Sequence, residues 1–238
     1  MMKRLAAILA ALALFCSQAS AGFLINSYAF CPAGTASIEF VTTGQTNSTA
    51  ATSKTISSVS FGTAYCDGMI VVAVTARAGS SNSFTSMTLG GVSATQVVTT
   101  ASGNNLSAIY ALNDTSQTSG DIVIGCSSSC TAGVTVYKVR RGGGTGTASD
   151  TDNATGSSAN CALSSVTIPT NGVGVFVCGT SSADTWTWSG TGVTEQSDFL
   201  YPTNRSHTSA MSSTAGTNTA TATHSSGNWQ AAGASWGP

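Results

Sequence analysis

Short runs of Val, Ile, Thr and aromatic residues, each bounded by Gly, Asn, Asp or Ser, recur along the chain. Runs of this length and make-up are typical of β-strands. No segment after residue 22 has a sustained helical period with capping residues. The pattern therefore predicts an all-β protein. The predicted strands are Ser58–Phe61, Met69–Arg77, Ser86–Leu89, Thr95–Thr99, Leu106–Leu112, Asp121–Gly125, Val134–Arg140, Ala162–Ile168, Val173–Cys178, Thr185–Ser189, Glu195–Phe199, His207–Met211, Thr219–His224 and Gln230–Trp236.

These strands fall into two similar sets. Ile56–Phe61, followed after a turn by Met69–Thr75, recurs 107 residues later from Leu163, and Ala111–Thr115 recurs 99 residues later from Ala210. A repeat of this length indicates duplication of a whole β unit, because solenoid repeats are shorter. We therefore expect an antiparallel β-sandwich, of jelly-roll or Ig-like type, built from two similar halves.

The predicted halves span residues 22–141 and 159–238, and a Gly/Ser/Thr-rich stretch at 142–158 joins them as a flexible linker. The second half has few large apolar residues, so alone it would struggle to offset the entropy lost on ordering. We expect the halves to pack as one unit. Two separate domains are the alternative.

Residues 1–21 have the pattern of a secretory signal peptide. Lys3 and Arg4 precede an apolar run, Leu5–Phe15, that is too short to span a bilayer, and Ala19-Ser20-Ala21 supplies small residues for cleavage. The pattern predicts a secreted or cell-surface protein with no membrane segment after signal removal. Retention of this apolar segment as an anchor within an assembly is the alternative.

Six cysteines remain after residue 21, an even number that favours disulfides in an exported protein. Cys161 and Cys178 lie symmetrically about the turn at Pro169, so a tight hairpin would bring them opposite each other. The other expected pairs are Cys126–Cys130, around a three-serine loop, and Cys31–Cys66 by default. In a reducing cytosol all six would instead be buried thiols. A zinc site assisted by His207 and His224 is the weaker alternative, because no C-x-x-C pair is present.

Charge is scarce and gives no sign of a nucleic-acid partner. Charged residues make up only 7% of the chain, and loss of Lys3 and Arg4 leaves six basic against nine acidic residues. The only basic run, Lys138-Val139-Arg140-Arg141, is typical of a solvated strand edge. Nucleic-acid binding, which depends on neutralising phosphates, is therefore not expected.

No catalytic, cofactor or metal site is predicted. His207 with Ser206 and Asp198 is the best local hydrolase cluster, but no nucleophile-elbow motif frames any serine, so a structural histidine is favoured. Asp150 and Asp152 lack the full calcium-loop pattern. Glu195 with Asp198, as a glycosidase pair, would need a cleft that the sequence does not indicate. Gly142–Gly146 lacks the lysine of a phosphate loop, so no cofactor is expected.

Three aromatic residues are candidates for stacking on sugar rings. Trp186 and Trp188 are two residues apart, so both project from one face of a strand. That face is more often core than an exposed platform. Tyr201, before Pro202, is expected to be the exposed one.

Several short segments carry a resemblance to other proteins. They are Gly22–Phe30, Val136–Val139, Trp186–Gly190 with Thr194–Glu195, Arg205–Ala210 and Ala234–Pro238. The first of them looks like the start of many phage structural proteins. With these motifs the chain resembles a largely uncharacterised group of β-rich proteins of phages and alphaproteobacteria, and the similarity covers most of residues 22–238. These motifs are structural, so no functional residue carries over.

These observations lead us to expect a non-enzymatic structural or interaction protein. It would be exposed on a phage particle or in an exported bacterial surface assembly, with further copies of itself or capsid or tail subunits as partners. A secreted carbohydrate-binding module that uses Trp186, Trp188 or Tyr201 is the alternative. A hydrolase around His207 is a third hypothesis.

Overall fold

The computed structural model describes residues 31, 33–46, 51–79, 82–114, 116–201, 205–225 and 227–238. The predicted signal peptide and the segment 22–30 lie outside the described residues. The strands below all belong to one compact unit within residues 32–238. Among the described residues no helix is long and apolar enough to cross a membrane.

Eighteen strands are assigned among the described residues, and none of these residues is helical. The strands are β1 (Ser37–Gln45), β2 (Ala51–Ser60), β3 (Gly68–Ala78), β4 (Phe84–Leu89), β5 (Val92–Ser93), β6 (Thr95–Ser102), β7 (Asn105–Leu112), β8 (Ser119–Arg140), β9 (Asp150–Gly156), β10 (Asn160–Ala162), β11 (Val166–Ile168), β12 (Val173–Thr180), β13 (Thr187–Ser189), β14 (Thr194–Tyr201), β15 (Arg205–Ser212), β16 (Gly216–Asn218), β17 (Thr221–Thr223) and β18 (Trp229–Trp236).

The first half, β1–β8, is a two-layered sandwich in which β8 belongs to both layers. The C-terminal part of β8 pairs with β1 and β3, and the inner sheet continues through β7 to β6. The N-terminal part of β8 pairs with β2 on one side and β4 on the other, and β4 also pairs with β5. One long strand therefore crosses from the outer sheet to the inner sheet.

The second half repeats this arrangement with separate strands. Its inner sheet has the order β14-β15-β12-β18-β9, and its outer sheet has the order β10-β17-β13. The pair β11–β16 lies alongside as a two-stranded sheet. All pairings are antiparallel. The prediction of an antiparallel sandwich built from two similar halves is confirmed.

The strand order is that of a jelly roll. In each inner sheet the last strand of the half lies between the half's first strand and the next strand of that sheet along the chain, as β8 lies between β1 and β3 and β18 lies between β9 and β12. From β1 to β4 the chain changes sheet at every strand, which is the double Greek-key order and not the Ig order.

Strand register gives a residue-by-residue correspondence between the halves. Val72 pairs with Tyr110 and Val136, as Phe176 pairs with Ala210 and Gly233. Both inner sheets also carry a bulge at the same place, between Gln96 and Val98 in β6 and between Glu195 and Ser197 in β14. A shared irregularity of this kind supports duplication, because a bulge is a specific structural feature and not a general consequence of pairing.

Apolar side chains fill three layers between four stacked sheets. In β3 alternate residues serve two layers, since Ile70 and Val72 pack inside the first sandwich while Met69 and Val71 face the second half. Strands β12 and β18 supply the opposing face with Val175, Ala234 and other buried residues. The inner sheets are therefore buried on both faces, which explains the nearly continuous apolar run of β3.

The glycine-rich stretch 142–158, predicted to be a linker, contains β9. This strand pairs with β18 and forms the edge of the second inner sheet, so the second half begins at Asp150 and not at residue 159. Its side chains alternate between half-buried and exposed. An edge strand needs only partial burial, which is why polar and small residues suffice and why the apolar pattern did not reveal it.

The two predicted disulfides among the described strands are present, and Cys31 and Cys66 are also disulfide-bonded. Cys126–Cys130 spans the point where β8 changes sheet. Cys161–Cys178 joins β10 of the outer sheet to β12 of the inner sheet. The predicted hairpin was wrong, because the strand before Pro169 pairs with β16 and not with β12.

Removing the inter-sheet disulfide should destabilise the protein more than removing the corner disulfide. The Cys161–Cys178 bond closes 17 residues and Cys126–Cys130 closes 4. Loop-closure entropy gives about 3 and about 2 kcal/mol, respectively. We expect the double variant Cys161→Ala/Cys178→Ala to lower the free energy of unfolding in urea more than Cys126→Ala/Cys130→Ala does. A larger loss of unfolding free energy in Cys126→Ala/Cys130→Ala than in Cys161→Ala/Cys178→Ala would contradict the greater contribution of the bond between the sheets.

Candidate functional site

His207 lies fully buried between the two halves. Its Nδ1 atom is 3.0 Å from Thr75 Oγ1, and its Nε2 atom is 2.7 Å from Thr135 Oγ1. Burial lowers the pKa of His207 to about 3, so the ring is neutral at ordinary pH. Both ring nitrogens are therefore used to join β15 of the second half to β3 and β8 of the first.

A chain of hydroxyl groups continues from this histidine. Thr135 Oγ1 lies 2.7 Å from Ser197 Oγ, Ser197 Oγ lies 2.7 Å from Ser209 Oγ, and Ser209 Oγ lies 2.7 Å from the Tyr137 hydroxyl. Burial raises the pKa of Tyr137, so its hydroxyl stays protonated. Each buried hydroxyl in the chain is hydrogen-bonded, which offsets the cost of taking it out of water.

The corresponding positions on the other side of the interface form no such network, and most are apolar or lack a side chain. By strand register Ser107 corresponds to His207 and donates to the backbone oxygen of Gln230 at 3.0 Å, and Gly179 corresponds to Thr75. The counterparts of Tyr137 and Ser209 are Ala234 and Ile109, both within the apolar layer. The halves thus meet through a polar network on one side and mainly through apolar packing on the other.

The proposed hydrolase cluster is not assembled in the structure. Neither ring nitrogen of His207 bonds to Ser206 or Asp198. The Asp198 carboxylate accepts the backbone N–H of Trp186 at 2.9 Å. Glu195 accepts the backbone N–H of Trp188 at 3.3 Å. Burial, followed by repulsion from Asp184, raises the pKa of Asp198, and burial followed by repulsion from Asp198 raises that of Glu195.

Asp150 and Asp152 connect β9 to the segment around β11. Asp152 Oδ2 accepts the backbone N–H groups of Ser164 and Ser165 at 2.8 and 3.1 Å, and Asp150 Oδ2 accepts that of Thr167 at 2.7 Å. These carboxylate oxygens are therefore occupied by the protein's own donors. The six disulfide-bonded cysteines likewise offer no thiolate to zinc.

The aromatic residues considered for sugar stacking are buried. Trp186, Trp188 and Tyr201 are 4%, 8% and 3% exposed. Both tryptophans belong to the core of the second sandwich, and Trp188 Nε1 donates to Thr208 Oγ1 at 2.7 Å. The expectation that Tyr201 is exposed was wrong. It ends β14 against the first half, next to Gly133, and burial raises its pKa to about 12.

The basic run at the end of β8 is not a solvated edge. Lys138 is buried, and its ammonium donates to the backbone oxygens of Asp114 and Gln117 at 3.4 and 3.3 Å. Arg140 Nε lies 3.4 Å from Asp67 Oδ1. The prediction failed because β8 is flanked on both sides in the inner sheet.

Two grooves lie where the ends of the inner sheets meet, and they correspond to each other in the duplication. The larger has a volume of about 550 Å³ and is lined by Thr95–Val97 of β6, Ala111–Asn113 at the end of β7, and residues 146–148 with Thr151. The other has about 340 Å³ and is lined by Thr35–Ile38 and residues of β14 and β15. Sequence reasoning missed both, because each combines small uncharged residues from three separate segments.

No protein-family model matches this chain, and no curated protein matches it either.

We expect acid to destabilise the protein through His207. Its pKa is 6.5 in the reference state and about 3 when folded, so between these values the unfolded chain binds a proton that the folded protein does not. Stability should therefore fall as pH falls through this window, by at most about 1.4 kcal/mol per pH unit. Unfolding in urea from pH 7 to pH 3 should show a steeper loss of stability in the wild type than in His207→Gln, which lacks the contribution of the imidazole.

His224→Gln serves as the control for that experiment, because it changes the only other histidine in the chain. Glu195 and Asp198 have raised pKa values and act with the opposite sign, and Asp114 has a lowered pKa and acts with the same sign, but these carboxyl groups are common to all three proteins. If stability depended on pH equally in the wild type and in His207→Gln, the conclusion that His207 is buried as a neutral ring would be contradicted.

Gly179 permits the close approach of the halves. A Cβ atom there would lie 2.8 Å from Thr75 Cγ2. We expect Gly179→Ala to lower the free energy of unfolding by roughly 1–3 kcal/mol. Adding Thr75→Ser, which removes Cγ2 but keeps the hydroxyl, should restore part of the loss. Gly79→Ala is the control, since its nearest neighbour would be Ser128 Oγ at 3.3 Å. If Gly79→Ala and Gly179→Ala lowered the free energy of unfolding equally, a steric clash between residue 179 and Thr75 would be ruled out.

Proposed function

We propose that this protein is a non-enzymatic structural or interaction subunit of an exported assembly, either a bacterial surface structure or a phage particle. The proposal rests on one observation: the side chains best suited to catalysis make structural hydrogen bonds instead. His207 joins the halves, while Asp150, Asp152, Glu195 and Asp198 hold backbone N–H groups. A rigid scaffold explains this use better than an active site does.

The disulfides support an exported location. Six described cysteines are disulfide-bonded, which indicates an oxidising, extracellular type of environment. The predicted signal peptide at residues 1–21 is consistent with that location. A disulfide-linked sandwich keeps its fold outside the cell, where no chaperone restores it.

Partners of this subunit would be protein, either further copies of this chain or capsid or tail subunits. Strands β1, β6, β9 and β14 are the edges of the inner sheets. Edge strands offer unpaired backbone groups to a neighbouring chain. Leu200, on β14, is 51% exposed and adds an apolar contact at one of these edges. The buried Trp186, Trp188 and Tyr201 offer no exposed surface for the alternative of a glycan-stacking module.

Fractionation of the source organism and its phage lysate tests the proposal. We expect the protein in a high-mass particle or envelope fraction, at an abundance comparable with that of the major structural proteins. Intact mass spectrometry should show loss of residues 1–21 and a gain of about six hydrogens on reduction, one for each bonded cysteine.

Two results would contradict this role. One is recovery of the protein only as a free monomer. The other is hydrolytic turnover that disappears in Ser206→Ala, because Ser206 would be the nucleophile beside His207. A full-length mass with free thiols would refute export.

A further inference from the structure

A small pocket lies between the two halves at the end of β7 opposite to the larger groove. It is lined by Arg77 of β3 and by Ser102–Asn105 at the β6–β7 turn, and on the other side by Ser181 after β12 and Asn228 before β18. Its volume of about 270 Å³ is just below the range of about 300–1,000 Å³ typical of ligand pockets, so it suits a compact ligand. We call it the Arg77 pocket.

Strand alternation directs Arg77 and Asn105 to the face that forms this pocket. In β3 the residues Met69 and Val71 face the second half, and Arg77 continues the same alternation. In β7 Ile109 faces the second half, and Asn105 continues that alternation. Arg77 and Asn105 are directly opposite each other in the β3–β7 register, so their Cβ atoms are neighbours on one wall.

Arg77 carries a positive charge that the protein does not neutralise. All nine acidic residues of the chain are described, and none of them forms an ion pair with the Arg77 guanidinium. No described residue accepts a hydrogen bond from it either, and Arg77 is only half-buried. Tyr201, which interacts electrostatically with Arg77, stays neutral because burial raises its pKa to about 12. The fork of donors on Arg77 is therefore available to an anion.

Asn105 is a second polar group that the fold leaves without a partner. It is 5% exposed, and within the described part of the chain its amide makes no hydrogen bond. Buried amides are nearly always hydrogen-bonded, because an unpaired one destabilises the protein. The turn before it is fixed, since Asn104 O accepts the backbone N–H of Ala78 at 2.9 Å. Arg77 and Asn105 are thus positioned before any ligand binds.

The duplication shows that the fold does not require this arrangement. Counted two residues along from Thr75 and Gly179, Arg77 corresponds to Ser181, and Asn105 likewise corresponds to Arg205. Arg205 Nη1 donates to the backbone oxygen of Ser181, so the arginine of the second half is engaged by the protein itself. Of two arginines at equivalent ends of the interface, Arg77 is the one that lines a pocket.

The composition of the lining selects the charge of the ligand. Apart from Arg77 the lining consists of Ser, Asn and Gly, with no carboxylate to repel an anion. One guanidinium offsets one negative charge, whereas a phosphate dianion would bring a second charge that the pocket does not balance. A planar carboxylate also matches the guanidinium fork. We propose that the Arg77 pocket binds a compact ligand through a single carboxylate group, which accepts hydrogen bonds from Arg77 and from the Asn105 amide.

The test uses the disulfide-bonded protein with sodium acetate as the probe and acetamide as its neutral analogue, at constant ionic strength. The readout is the ¹⁵N NMR shift of the Arg77 Nε–H and of the Asn105 side-chain amide. We expect a saturable shift of both signals with acetate, no shift with acetamide, and weaker binding of phosphate than of acetate.

Two further probes distinguish the sources of the carboxylate. Tighter binding of L-lactate than of a capped Gly-Asp-Gly peptide would assign the site to a free small molecule. Tighter binding of the peptide would assign it to an acidic side chain of a partner protein. Either order supports a carboxylate site. The site does not depend on the proposed assembly role, which fractionation tests separately.

Four variants separate the contributions of charge, geometry and fold. Arg77→Gln should weaken acetate binding by about tenfold or more, since a charge-assisted hydrogen bond is lost. Arg77→Lys keeps the charge without the fork and should weaken it less. Asn105→Leu should also weaken binding but should not lower the Tm, because no hydrogen bond within the protein is lost. Arg140→Gln is the matched control, which removes one positive charge elsewhere and should leave binding unchanged.

Three results would overturn the proposal. The first is the absence of an acetate-dependent shift at both signals, even at high millimolar concentration. The second is an equal response to acetamide. The third is acetate binding that is unchanged in Arg77→Gln. A lower Tm of Asn105→Leu with unchanged acetate binding would show that the Asn105 amide serves the fold and would remove it from the site.

Discussion

The packing of one inner sheet against the other is the contact on which the rest of this structure depends. Each inner sheet is apolar on both faces, so either half alone would expose the face that now forms the middle layer. An exposed apolar surface of that extent favours association. The halves are therefore independent in topology but not in stability. The outer sheets, the disulfides and the grooves all take their positions from this central pair.

Much of the fold could be predicted from local pattern. Most strands, the duplication and the pairing of Cys161 with Cys178 follow from apolar runs, repeat spacing and cysteine parity. What could not be predicted depends on contacts distant in sequence. The Cys161–Cys178 bond joins two sheets and not two strands of a hairpin, β9 is polar because it is an edge, and Tyr201 is buried by the other half. Periodicity describes one strand at a time and contains no information about which sheet covers it.

Duplication normally yields equivalent sites, yet the two sides of this interface have diverged. On one side His207, Thr135 and Ser197 form a hydrogen-bonded network, while on the other Ala232, Val98 and Ile109 pack as hydrocarbons. A network of this kind specifies one relative placement of the sheets, because sliding would leave buried polar groups unpaired. Apolar packing alone tolerates small shifts. The polar side thus fixes the register, and the apolar side contributes most of the burial.

A fixed register has a consequence for the grooves at the ends of the inner sheets. Their walls come from different halves, so their width depends on the placement that the His207 network holds. In the larger groove the beginning of β6 and the end of β7, from the first half, lie beside residues 146–148 and Thr151 at the start of the second half. No motif marks such a groove, since its lining comes from three separate segments of the chain. It exists only because two copies of one fold meet face to face, and function in this protein is best sought at that junction.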